Sequence, residues 1–316
     1  MNKKITVIGA GAVGSSIGYL LVAEGIASEV VFIDVNKEKA LGEAMDIYQA
    51  TPFLNPCKVY AGEYEDAKGS DIVVITSGVA RKPGQSRIDL AQINVNIIKS
   101  IAPAISKVCP DALYVMVANP VDILTYTFHK VSGIPQNRII GSGTSLDTAR
   151  LRARLAEIYK VNPAQIDANV FGEHGDTSFI PWSLVRIGGV NASEYKKAMR
   201  GDDLPEDYTE DEIIDFVRKS GGVIISRKGA TYNGVAAAVA YICKCILSGA
   251  DNVLCVSVML NGEYGESDVC LSIPAIIGIN GVKATLTPAL TDEETAKFKA
   301  SAEAMKAVIA QVNCNK

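Results

Sequence analysis

Apolar residues in the first half of the chain fall in short unbroken runs. Lys4–Gly9 (KITVIG), Glu29–Val35 (EVVFIDV), Asp71–Thr76 (DIVVIT) and Ala112–Val117 (ALYVMV) are all rich in β-branched residues. Runs of this length without polar alternation predict strands buried on both faces. Gly11–Ala23 and Lys37–Gln49 predict helices between them, and Ile93, Ile97, Ile98, Ile101 and Ile105 recur at helical spacing. Buried strands alternating with helices predict an α/β fold, a doubly wound parallel sheet, because right-handed crossovers place helices on both faces.

The pattern changes in the second half. Asp147–Lys160 predicts an arginine-rich helix; an apolar run over 166–171, a Gly188-Gly189 patch and an acidic segment over Gly201–Asp215 follow. Gly234–Ser248 predicts a small-residue helix, and Val253–Ile273 a hairpin-like region. Thr291-Asp292-Glu293-Glu294 is a capping-box pattern that opens a last helix. This half predicts a mixed α+β domain, which divides the chain into 1–142 and 143–316.

One run needs a second reading. Ile5–Ala23 carries no charge and follows Lys3-Lys4, as a leader or a membrane span would. Glycines at 9, 11, 14 and 18 break it into strand, turn and helix, so neither is expected, and a cytoplasmic protein is. The seven cysteines lack metal or redox spacing and read as small buried residues in a reducing compartment. The net charge of −4 excludes a generally basic nucleic-acid binder. Two histidines, His129 and His174, exclude a three-histidine metal site, and no metal is expected. His129, near a predicted helix end, reads as a surface or capping residue that suits the helix dipole.

Gly9-Ala10-Gly11-Ala12-Val13-Gly14 has the form G-x-G-x-x-G. It ends a predicted strand and opens a predicted helix, and Asp34 stands 20 residues after Gly14 at the end of the second strand. In that context it predicts a dinucleotide site: Gly9 makes the turn, Gly11 admits the pyrophosphate, and Gly14 lets helix and strand approach. An acid at Asp34 accepts ribose hydroxyls and repels a 2′-phosphate, which favours NAD over NADP; FAD stays open at this point.

Four polar segments accompany it: Arg81-Lys82-Pro83-Gly84-Gln85-Ser86-Arg87, Asn119-Pro120-Val121-Asp122, Asp147-Thr148-Ala149-Arg150, and Gly172-Glu173-His174-Gly175-Asp176. Glycines bracket His174 and acids flank it, which marks it as a functional candidate.

With these motifs, and with Lys228-Gly229-Ala230-Thr231-Tyr232, the sequence resembles the L-lactate/L-malate dehydrogenase superfamily over essentially its whole length. Its scaffold is most similar to bacterial L-lactate dehydrogenases. The resemblance implies a Rossmann domain followed by a catalytic domain, NAD as cofactor, and hydride transfer to or from a small 2-oxo or 2-hydroxy acid. It implies His174 as acid/base, Asp147 as its partner, Arg150 on the substrate carboxylate, Arg87 on the C2 oxygen, and Asn119 and Thr231 at the substrate. It places Val13, Tyr64, Gly78, Val117 and Val235, with Asn119, along the cofactor, and implies a homo-oligomer, dimer or tetramer. A non-catalytic NAD sensor would keep the glycines and Asp34 but need none of Arg87, Asp147, Arg150 and His174.

Two departures carry expectations. Similar bacterial lactate dehydrogenases have Gln where Arg81 stands and Glu where Gln85 stands. A buried arginine beside a methyl group is an uncompensated charge, whereas a second carboxylate pairs with it. On that argument the expected substrate pair is oxaloacetate/L-malate, with pyruvate/L-lactate as the alternative. Many relatives also bind fructose 1,6-bisphosphate through an arginine and a histidine. Arg152 matches the arginine, about 200° around the helix from Arg150, but Asp167 stands for the histidine. No activation by the bisphosphate is expected.

Overall fold

The computed structural model describes residues 3–80, 84, 86–200, 205 and 207–314. The first half forms β1 (Lys4–Ile8), α1 (Ala12–Ala23), β2 (Glu29–Ile33), α2 (Lys37–Ala50), β3 (Lys58–Ala61), β4 (Ile72–Ile75), α3 (Arg87–Val108), β5 (Leu113–Met116), α4 (Val121–Ser132) and β6 (Ile139–Gly141). The second forms α5 (Ser145–Tyr159), β7 (Ile166–Asp167), β8 (Arg186–Ile187), β9 (Val190–Asn191), α6 (Ala192–Ala198), α7 (Glu210–Lys228), α8 (Asn233–Leu247), β10 (Asn252–Asn261), β11 (Ser267–Gly278), β12 (Gly281–Thr285) and α9 (Asp292–Gln311).

Six strands lie parallel in the order β3-β2-β1-β4-β5-β6. This is the doubly wound Rossmann order, and it reverses between β1 and β4, where such sheets bind ligands beyond their carboxyl ends. β1, β2, β4 and β5 are buried almost throughout, as their continuous apolar runs require.

The second half is less separate than its sequence implies. The expected hairpin is β10 and β11, and it joins the parallel sheet through Ser257 opposite Gly141 to make nine strands. α8, β10, β11 and α9 therefore share the large core with the first half. α5 and α7 enclose a smaller core with β7 and β8. The apolar run at 166–171 contributes only the short β7 and a bridge from Phe171 to Phe179. The capping box at Thr291 forms as expected, with Glu294 N donating to Thr291 Oγ1 and Thr291 N to Glu294 Oε2.

His129 corrects its expected role. It lies in the last turn of α4, but the helix packs that side inward, and Nε2 is buried without a hydrogen-bond partner among the described residues. Burial lowers its pKa to about 4, with a smaller push from Lys130, so the ring is neutral and offers the helix dipole no cation.

Candidate functional site

The cofactor end is built by close contact. Gly9 has φ +108° and donates its N–H to Ile33 O at 2.7 Å, turning the chain between β1 and α1. A Cβ on Gly14 would stand 1.9 Å from Gly9 O, so only glycine lets α1 approach the strand. Around Gly11, the N-cap of α1, a Cβ would meet nothing within 4 Å, which leaves an open approach to the helix N-terminus. Asp34 accepts from Ala10 N at 2.6 Å and Asn36 N at 2.8 Å, fixing its carboxylate beside this turn. An open anion cradle with a fixed acid at the second strand fits an NAD pyrophosphate and ribose.

A cleft of about 520 Å³ runs from this end toward the second half. Val13, Gly78, Val117, Asn119 and Val235 line it, and so do Asp147, Arg150, His174 and Thr231. Tyr64 does not; it is half-buried against the core beside β3. Arg81 and Gln85 lie outside the described residues.

Asp147 is the hinge of the polar cluster. One oxygen accepts from His174 Nδ1 at 2.5 Å, and the other from Arg150 Nη1 at 3.0 Å. The spacing of three on α5 puts Asp147 and Arg150 on one face. His174 is brought to them by three anchors. Thr148 Oγ1 accepts from Val170 N at 3.0 Å and ties the incoming segment to α5. Gly172 takes φ +89°, and a Cβ there would meet Ser301 Oγ at 2.7 Å. Ser301 Oγ then accepts from Glu173 N at 2.8 Å.

The charges follow from this geometry. Burial alone would lower the His174 pKa, but the Asp147 carboxylate and its hydrogen bond overcome it, and the pKa is raised. Burial alone would raise Asp147, but His174 and Arg150 hold it below the usual carboxylate range. With Nδ1 donating to Asp147, Nε2 is the ring atom free to exchange a proton in the cleft.

Arg87 stands at the rim. Ser86 caps α3 and places Arg87 in its first turn. There Nη1 pairs with Asp176 Oδ2 at 2.6 Å, with both side chains mostly exposed. Arg152 faces elsewhere: Nε donates to Ala168 O at 2.9 Å and Nη2 to Asn169 Oδ1 at 3.2 Å, while Asp167 is exposed on β7.

Several site residues carried no role in the sequence reading. Buried Asn94 on α3 accepts from Val79 N at 2.9 Å and donates to Asn119 O at 2.7 Å, joining two cleft segments. Arg218 on α7 reaches the cleft and binds Ser178 O. Buried Asp122 accepts from His174 N at 2.7 Å. For Asn94 the available signal was a polar residue on the buried Ala91, Val95 and Ile98 face of α3.

Comparison with known proteins agrees with this architecture. Residues 3–141 match the family model described as lactate/malate dehydrogenase, NAD binding domain. Residues 144–315 match that of the lactate/malate dehydrogenase alpha/beta C-terminal domain. The chain is 46% identical to L-lactate dehydrogenase 1 of Clostridium acetobutylicum over 306 residues, 96% of this chain and 97% of that one. It is 43% identical to the L-lactate dehydrogenase of Thermoanaerobacterium saccharolyticum over 314 residues, 98% and 99% of the two chains. Among solved structures, the minor L-lactate dehydrogenase from Enterococcus mundtii superposes with TM-score 0.94 at 38% identity, covering 99% of each chain.

These relatives do not support the expectation of oxaloacetate/malate, and they favour the alternative, pyruvate/lactate. The expectation rested on the charge of Arg81. That argument binds only an arginine held against the substrate, since one turned to water carries no desolvation cost.

Proposed function

The chain belongs to the lactate/malate dehydrogenase family, and on that premise we propose that it interconverts pyruvate and L-lactate with NAD. The observation that carries the reading is Asp147 bridging His174 and Arg150 inside the cleft. An acid/base and a carboxylate clamp are thereby held on one rigid acceptor.

The chemistry that NAD supplies when bound is hydride transfer at nicotinamide C4. In the reducing direction His174 gives the Nε2 proton to the C2 oxygen, and Asp147 stabilises the imidazolium before the transfer. Arg150 forks onto the C1 carboxylate, a geometry lysine does not copy. Arg87 turns from Asp176 toward the C2 oxygen and polarises it. Asn119 and Thr231 bound the substrate, and Gly78, Val117 and Val235 wall the cofactor side.

The test is NADH oxidation with pyruvate and oxaloacetate in turn. Pyruvate is expected to give the larger kcat/KM by at least about tenfold, equivalent to about 1.4 kcal/mol of discrimination. A tenfold preference for oxaloacetate would reject the assignment and return Arg81 to the substrate.

The proposed assembly is a homo-oligomer. Tyr19, Met45, Tyr48 and Tyr241 are exposed on α1, α2 and α8, which pack side by side. Exposed apolar side chains on three neighbouring helices support an association surface there. Sedimentation at micromolar concentration is expected to give a dimer or tetramer, and a monomer there refutes it. No helix among the described residues is long and apolar enough to cross a membrane. All seven cysteines are free and buried, which supports a reducing compartment such as the cytoplasm.

A further inference from the structure

Asp122 is a buried carboxylate with no place in the proton transfer just described. It sits in the first turn of α4, 3% exposed, directly behind the His174 segment. One oxygen accepts from His174 N at 2.7 Å, and the other accepts from Ser257 Oγ at 2.6 Å. Ser257 is fully buried on β10, at the point where β10 meets β6. The carboxylate therefore joins a helix of the first half, the strand that extends the sheet, and the main chain of the histidine.

We propose that Asp122 is a positioning residue for His174, fixing its main chain and placing a second negative charge behind the imidazole. The proposal rests on the dehydrogenase reading above.

The argument for the charge is one of cost. A neutral amide would also accept from the His174 N–H and could bond Ser257, so a clamp alone needs no carboxylate. Burying an ion is expensive unless its charge is used. The groups that face Asp122 are His174, Glu173 and Cys270; those that face His174 are Asp147, Asp122 and Arg150. Asp122 and Asp147 thus act on the imidazolium in the same direction, against Arg150. Burial pushes Asp122 up to about 6, restrained by its two donors, so it is ionised above neutrality. There the histidine must keep its proton to reduce a 2-oxo acid.

The experiment is the pH profile of kcat/KM for pyruvate reduction in the intact enzyme, with Asp122→Asn and Ser257→Ala. NADH binding by fluorescence serves as the control for folding. Reduction needs the imidazolium, so the profile falls as pH rises through the His174 pKa. Asp122→Asn removes the charge and is expected to move that midpoint down by about half a pH unit or more. Ser257→Ala removes a donor that holds Asp122 ionised, so the carboxylate protonates more readily, and the midpoint is expected to move down here too, by less than in Asp122→Asn. Loosening of the fold would weaken NADH binding, which the control reads. A midpoint unmoved or raised in either variant that still binds NADH overturns the proposal. If Asp122→Asn does not bind NADH, Ser257→Ala decides alone. A wild-type enzyme that reduces no 2-oxo acid overturns the functional reading and this proposal with it; a wild-type midpoint that neither variant moves overturns this proposal only.

Discussion

His174→Asn is expected to lower kcat/KM for pyruvate reduction by at least about 10³, within the range that acid–base groups contribute. NADH affinity is expected to stay within about threefold. Asparagine suits the test because its amide N–H can still donate to Asp147, the partner His174 meets at 2.5 Å. Shape and the Asp147 bond are kept; the proton is not. The raised His174 pKa makes a second part of the expectation. In the wild type, reduction is full while the imidazolium persists and is lost as pH rises through that elevated value. In the variant this limb is absent, since no group of the pair exchanges its proton in the same range. Stopped-flow turnover with matched NADH titrations reads both. Retention of more than about a tenth of the activity, with the limb intact, would place the acid elsewhere.

The sequence and the structure agree best where local chemistry is restrictive. The turn at Gly9–Gly14 was legible because a Cβ there collides with backbone, 1.9 Å from Gly9 O at Gly14, so no other residue type serves. Asp147 and Arg150 were legible as a pair because a helix brings residues three apart to one face. The meeting with His174 was not: it depends on a chain that leaves α5, bridges Phe171 to Phe179 and is pinned by Ser301 on the last helix. Only the resemblance joined those segments beforehand. β3 and β6 were missed because KVYA and IIG are too short to show a period. The single sheet of nine strands was missed because its closure is one long-range register, Ser257 on Gly141. α7 left a signal that went unused. Thr209 and Glu212 form a capping box at its start, in a stretch read only as acidic. His129 was misplaced because a position near a helix end says nothing of what packs over it. Asp122 follows Asn-Pro, and an acid there reads as a helix-start residue until its depth is known.

Arg150→Lys is expected to lower kcat/KM for pyruvate by about 10² to 10³, chiefly through KM. The positive charge is kept, so the loss measures geometry. Arg150 is 13% exposed and spends Nη1 on Asp147 at 3.0 Å, a carboxylate only 6% exposed. Its fork leaves further N–H groups for the substrate, so one side chain can hold Asp147 and a C1 carboxylate together. Lysine is a point charge and serves one of the two well. If it stays with Asp147, the substrate carboxylate is desolvated without a partner; if it turns to the substrate, Asp147 loses a bond that lowers its pKa. Either loss in a buried site costs about 2–5 kcal/mol, and about 1.4 kcal/mol is tenfold. The two branches separate kinetically. Loss at the substrate raises KM and leaves the His174 midpoint in place. Loss at Asp147 strengthens its hold on the imidazole and moves that midpoint upward, because Arg150 opposes protonation of His174. A rise in KM with an unmoved midpoint is the expected pattern. Full activity in Arg150→Lys would mean that a single ammonium orients the substrate, and that the bridge through Asp147 supports the helix and not the clamp.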